Sequence, residues 1–134
     1  MPRSRSLARL ALLAALAHPA LAQDARGPDF QVELDPETCA FSGGSDGAGN
    51  VEVAANSGNK LIQVRLAGNG DYVIAEVVFS GEGQDQMTHT AGGPAPVVNI
   101  FNRNSGPADV KYSVVVQHRA TGERRDCDPR IINR

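Results

Sequence analysis

The chain has 134 residues, with 13 Lys and Arg against 15 Asp and Glu and a formal net charge of −2. It contains 14 Gly, two Cys, no Trp, four Phe and two Tyr. That length is one domain, and a mildly acidic balance argues against a nucleic-acid partner, whose phosphates select a basic face.

Residues 1–22 predict where the protein works. Arg3, Arg5 and Arg9 give a positive start with no acid, and an apolar run over 10–17 contains Leu10, Leu12, Leu13 and Leu16. His18-Pro19 breaks the run, and Ala20-Leu21-Ala22 supplies small residues at the −3 and −1 positions. This is the pattern of a secretory signal peptide cleaved before Gln23. The run falls short of the roughly 20 apolar residues that a membrane-spanning helix needs. Cleavage leaves a 112-residue domain, 23–134, and losing three arginines from a charge of −2 brings it to −5. No second apolar run follows and no Cys succeeds the cleavage site, so neither a membrane span nor a lipid anchor is expected. The Ala/Arg/Gly-rich composition suggests a bacterial protein, periplasmic or secreted. In such an oxidising compartment Cys39 and Cys127 allow a single disulfide, whose long loop is worth about 4 to 5 kcal/mol in the chain-entropy model.

Beyond the leader the helical period is absent and a period of two recurs. Phe30-Gln31-Val32-Glu33-Leu34 alternates and stops at Asp35-Pro36, where the missing N–H ends a ladder. Four glycines in 42–50 predict a loop. Val51-Glu52-Val53 alternates again, a turn cluster occupies 56–59, and 61–66 places Ile62, Val64 and Leu66 on one face. Asn69-Gly70, set between two such segments, predicts a type I′ hairpin turn. The segment 72–79 is apolar on nearly both faces, with Glu76 its one charge, which predicts a central strand. Residues 80–96 read as a long loop, 97–101 as a short strand, and 110–118 as the longest clean alternation. After Ala120-Thr121-Gly122 a polar strand covers 123–127. About seven short strands with regular turn signals predict an all-β fold, a small antiparallel β-sandwich. The general look resembles immunoglobulin-like architecture, although the buried Trp often found there is missing.

Several constellations invite chemistry. Gly43-Gly44-Ser45-Asp46-Gly47 matches the G-x-S-x-G nucleophile elbow, and Asp85 or Asp109 and then His118 follow in hydrolase order. The elbow needs an apolar strand before it and a helix after it. Here Asp35-Pro36-Glu37-Thr38 precedes it and a Gly-Asn turn follows, so a loop is expected instead. Met87, His89 and His118 suit a copper ion by ligand type. Cys127, however, is followed by Asp128-Pro129-Arg130, which offers no neighbouring ligand for a blue-copper site. Asp46 and Asn50 lack the spacing of a calcium loop, since Ala48 stands where an oxygen ligand belongs. Of the six aromatics, Phe30, Phe79, Phe101, Tyr72 and Tyr112 fall in predicted strands and Phe41 outside them, so core packing is expected and a sugar-stacking platform is not. Arg119, Arg124, Arg125, Arg130 and Arg134 crowd the C-terminus.

Together these features predict an exported, non-enzymatic protein without catalytic residues or cofactor, binding a protein or other cell-envelope component through its loops or an edge strand. Arg124 and Arg125 are the candidate partner-binding residues, as carboxylate clamps beside a free edge. Two alternatives are a periplasmic copper-binding protein using Met87, His89 and His118, and a hydrolase inhibitor presenting the 80–96 loop with Gly92-Gly93-Pro94-Ala95-Pro96.

Overall fold

The computed structural model describes residues 27–68, 70–90 and 96–134. The signal-peptide reading of 1–22, Asn69 of the predicted turn, and 91–95 of the predicted loop lie outside the described residues. Among the described residues no helix is long and apolar enough to cross a membrane.

The fold is all-β. Its strands are β1 (Phe30–Asp35), β2 (Ala40–Gly43), β3 (Val51–Val53), β4 (Lys60–Leu66), β5 (Tyr72–Glu82), β6 (Met87–His89), β7 (Val97–Asn102), β8 (Ala108–His118), β9 (Arg124–Cys127) and β10 (Arg130–Asn133). One sheet runs β2-β1-β4-β7-β6, the other β3-β10-β8-β5, with β9 also paired to β8. Three strands therefore exceed the expected seven. β2 and β6 are short edge strands held by β1 and β7, and β10 follows Pro129. The sheets are mixed, not purely antiparallel. β1 pairs parallel with β4, and β10 pairs parallel with β3.

Alternation accounts for the core. Val32 and Leu34 of β1, Ile62 and Val64 of β4, and Val98 and Ile100 of β7 point inward from the first sheet. They share one buried cluster with Val51, Val53, Ile74, Val77, Val110, Tyr112, Val114, Val116 and Ile131 of the second. Burial of these side chains on strands with a period of two is what sets the register, since a one-residue slip would turn each to solvent.

Two sequence expectations change here. Asn69-Gly70 does not join a hairpin, because β4 and β5 belong to different sheets. Ala67 N–H still bonds Leu34 O at 2.9 Å in the first sheet, while Arg119 N–H bonds Asp71 O at 2.8 Å in the second. Gly68 and Gly70, between these two bonded ends, are both at positive φ. The segment read as a central strand is instead an edge, because among the described residues β5 pairs only with β8. The register shifts between Ile74 and Glu76, so Ala75 is a bulge that resets the phase. Ile74 and Val77, three residues apart, then both face the core. The apparent two-sided apolar pattern is largely this phase change.

β8 carries β9 and β10 along one edge in succession. Val114 to Gln117 pair with Cys127 to Arg124, and Ala108 to Lys111 pair with Asn133 to Arg130. Pro129 lies between them and cannot donate, but its carbonyl accepts Tyr112 N–H at 2.9 Å and keeps the ladder nearly continuous. The expected disulfide is present. Cys39, in the β1–β2 turn of the first sheet, is bonded to Cys127 at the end of β9 in the second, with Cα atoms 5.3 Å apart.

The opposite end is closed by amides. Asn102 continues the inward phase of Val98 and Ile100, and Asn133 that of Ile131. Asn102 Nδ2 donates to Asn133 Oδ1 at 2.7 Å, and Asn133 Nδ2 donates back to Asn102 Oδ1 at 3.0 Å and to Gln86 Oε1 at 3.0 Å. Gln86 belongs to a short 3-10 helix, Gln84–Gln86. Ser105 N–H also donates to Gln86 Oε1, and Asn104 N–H to Asn102 Oδ1. A buried polar network costs little when its members are paired, and it fixes how the two layers meet.

Candidate interaction surface

The glycine-rich loop after β2 is fixed in place. Ser45 Oγ accepts Glu52 N–H at 2.8 Å, and Ser45 N–H donates to Asn50 O at 2.7 Å. Tyr112 reaches from the core to donate its hydroxyl proton to Gly49 O at 2.5 Å. Burial raises the Tyr112 pKa above the usual tyrosine value, and the Asp46 charge adds to the effect. No nucleophile elbow exists here. Asp109 and His118 lie nine residues apart on the one strand β8, about 30 Å at strand rise, and Asp109 is bonded to Arg130. The calcium reading meets a different obstacle. Asp46 Oδ1 accepts the N–H groups of Ala48 (2.8 Å) and Asn50 (3.2 Å), and Oδ2 accepts Asn50 Nδ2 at 2.7 Å. The Asn50 amide, followed by the Ala48 N–H, holds this carboxyl below its ordinary pKa. The loop thus consumes these oxygens as turn acceptors.

Met87, His89 and His118 do not converge. Met87 is buried in the core cluster. The His89 ring sits 6.0 Å from Phe79, and its Nδ1 is 2.7 Å from Thr90 O. The His118 ring is 4.8 Å from Tyr72, and its Nδ1 accepts the N–H groups of Ala120 and Thr121. Tyr72 and Phe79 are separated by about 20 Å of strand. The two imidazoles therefore lie at opposite ends of β5, too far apart for ligand bonds near 2 Å to a common ion.

Arg124 and Arg125 lie on an edge strand, as expected, but have internal partners. Arg125 is two residues from Cys127 and shares its inward face. Its Nη1 donates to Pro36 O at 3.3 Å and to Glu37 O, bridging the sheets beside the disulfide. Arg124 Nη1 lies 3.5 Å from Glu76 Oε2, and its Nε donates to Gln117 Oε1 at 3.3 Å. Cys39 Sγ also lies over Asp126 O at 3.6 Å. This edge is clasped by the β1–β2 turn. At the same end a cleft of about 530 Å³ is lined by Asp35, Glu37, Asp71, Leu66 and Tyr72 among others. Among the described residues no His, Cys, Ser or Lys lines it, and its titratable groups are the carboxyls of Asp35, Glu37 and Asp71 and the Tyr72 phenol.

The lateral edge on the other side is different. β5 is eleven residues long, and among the described residues no strand pairs with its far side. Val78, near its middle, is 45% exposed, one of two large apolar side chains so exposed among the described residues. From Val77 to Gly81 the edge carries no charge, while Glu76 and Glu82 flank it. Sequence reasoning missed this edge because the bulge at Ala75 disguised it as a central strand. No family model matches this chain, and no curated protein matches it in sequence.

Proposed function

We propose that the protein is an exported, non-catalytic binding protein that takes an extended segment of a protein partner onto β5 by strand addition. The observation that carries the reading is the open edge at Val77 to Gly81 with exposed Val78 within it. An open edge strand with an uncharged stretch offers unpaired N–H and C=O groups there, and proteins that do not use such an edge usually cover or charge it. Export is supported by the leader-like residues 1–22 and by the Cys39–Cys127 disulfide, a bond that persists in oxidising compartments.

The test places a photo-crosslinking residue at Val78 and, separately, at Arg124. The expected result is a partner adduct at Val78 that is weak at Arg124 and lost on adding Ser80→Lys. The purified partner should also slow amide exchange along 77–81. Equal adducts at both positions, or adducts indifferent to Ser80→Lys, would overturn strand addition at β5.

A further inference from the structure

The outer face of the first sheet carries a second feature, on different strands from the β5 edge. The registers of β1, β4 and β7 place Gln31, Gln63 and Asn99 in one row across the sheet and Glu33, Arg65 and Val97 in the next. On the other side of the amide row, Leu61, Phe101 and Thr88 are aligned. A shallow cleft of about 370 Å³ lies over the first two rows, lined by Gln31, Glu33, Ser42, Gln63 and Arg65 and floored by Gly43. Gly43 is at φ +83, and a Cβ there would stand 2.3 Å from Gln31 O, so no side chain closes that end.

The polar groups in this cleft are poorly satisfied by one another. Among the described residues, Arg65 makes one long hydrogen bond, from Nη2 to Gln63 Oε1 at 3.5 Å, and no carboxylate lies within ion-pair reach of it. Other exposed arginines of the fold, at positions 103, 124, 130 and 134, do pair with a carboxylate. Phe101, one row away, is 44% exposed. That contradicts the expectation that the strand aromatics serve the core.

We propose that this face binds a linear neutral glycan chain. One carboxylate and one guanidinium cancel, which selects against an anion or a cation as ligand. What remains is a carboxylate that accepts, a guanidinium that donates, and two carboxamides that do both. Sugar hydroxyls are uncharged and supply donors and acceptors together, matching that set. The exposed ring of Phe101 offers an apolar plane for the C–H face of an adjoining sugar. β1 and β7 are two strand spacings apart, about 10 Å, so the surface accommodates a chain rather than a single ring. Because the groups project from paired strands and not from loops, binding needs little ordering of the protein.

The experiment uses the oxidised mature protein and calorimetric titration with cellotetraose, chitotetraose and maltotetraose. At least one should bind with a dissociation constant below about 1 mM. Gln31→Ala, Arg65→Ala and Phe101→Ala should each weaken it about tenfold, the loss expected for one hydrogen bond or one stacking contact. Val78→Lys should leave it unchanged, which separates this site from the β5 edge. Thermal unfolding of each variant, unchanged within a few degrees, shows that the fold is intact. No binding by any of the three at 10 mM would overturn the proposal. So would binding that survives Gln31→Ala and Arg65→Ala, or that inorganic phosphate displaces.

Discussion

Replacing Asn133 by Ala tests whether the amide network holds the two sheets together. Asn133 and Asn102 are 2% and 1% exposed. The substitution deletes both bonds between these side chains and the bond to Gln86. Gln86 Oε1 keeps Ser105 N–H and Asn102 Oδ1 keeps Asn104 N–H, but Asn102 Nδ2 is left buried without an acceptor. A stranded buried donor costs about 1 to 3 kcal/mol, and each lost neutral bond about 1 kcal/mol net. With two such bonds besides the stranded donor, the expected loss is about 3 to 5 kcal/mol, a fall in Tm of at least roughly 12 °C for a domain of this size. Asn102→Ala should cost a similar amount. The double variant should cost less than the sum by about 1 to 2 kcal/mol, since it removes the stranded partner as well. Asn99→Ala is the control, because the buried Asn99 Oδ1 already lacks a hydrogen-bond partner. Its removal should change stability by less than about 0.5 kcal/mol or raise it. Urea unfolding of the oxidised protein measures all four. A loss below about 1 kcal/mol for Asn133→Ala, or strict additivity in the double variant, would refute this account.

Three further outcomes follow from the fold. The Tyr112 pKa is raised by burial, so above about pH 10 the unfolded chain loses a proton that the folded one keeps. Stability should then fall with rising pH by up to about 1.4 kcal/mol per unit, and Tyr112→Phe should remove that slope in unfolding curves between pH 9 and pH 11. Gly49→Ala places a Cβ 2.6 Å from Phe41 Cβ at φ +89; thermal denaturation should show a cost of about 2 to 4 kcal/mol. Reduction of the Cys39–Cys127 bridge should cost about 2 to 5 kcal/mol, measured as the urea midpoint with and without reductant.

The strands with clean alternation were legible because each has one face in the core. β1, β4 and β8 lie where Val32 and Leu34, Ile62 and Val64, and Val110, Tyr112, Val114 and Val116 place them. β2, β6 and β10 were not, since they run to four, three and four residues and exist through pairing with stronger neighbours. β10 also spends an inward position on Asn133, which reads as polar until its amide partners are seen. Asn69-Gly70 is a sound turn signal, but a turn dipeptide cannot reveal whether its flanking strands share a sheet. The 80–96 loop gave way in part because β5 runs on to Glu82 and β6 pairs with β7. For Arg125 a signal did exist. A residue two before Cys127 shares its face, and a cysteine bridged to the far sheet must face inward.

These observations give the two lateral sides of the molecule opposite characters. On the side of β2 and β9 the layers are tied by Cys39–Cys127 and by Arg125 on the carbonyls of Pro36 and Glu37. Nearby, Tyr112 anchors the loop that packs Gly49 against Phe41. The disulfide, the Arg125 bonds and the Tyr112–Gly49 bond each join segments distant in sequence, so each resists separation of the sheets. On the side of β5 and β6 the ladder stops among the described residues, with a bulge at Ala75, glutamates at 76 and 82, and exposed Val78 between them. A bulge and charges restrict where a new strand can pair without preventing it. None of these ties uses the outer edge of β5, so a strand added there need not rearrange the core, and the short window of 77–81 would set both the register and the length of what it accepts.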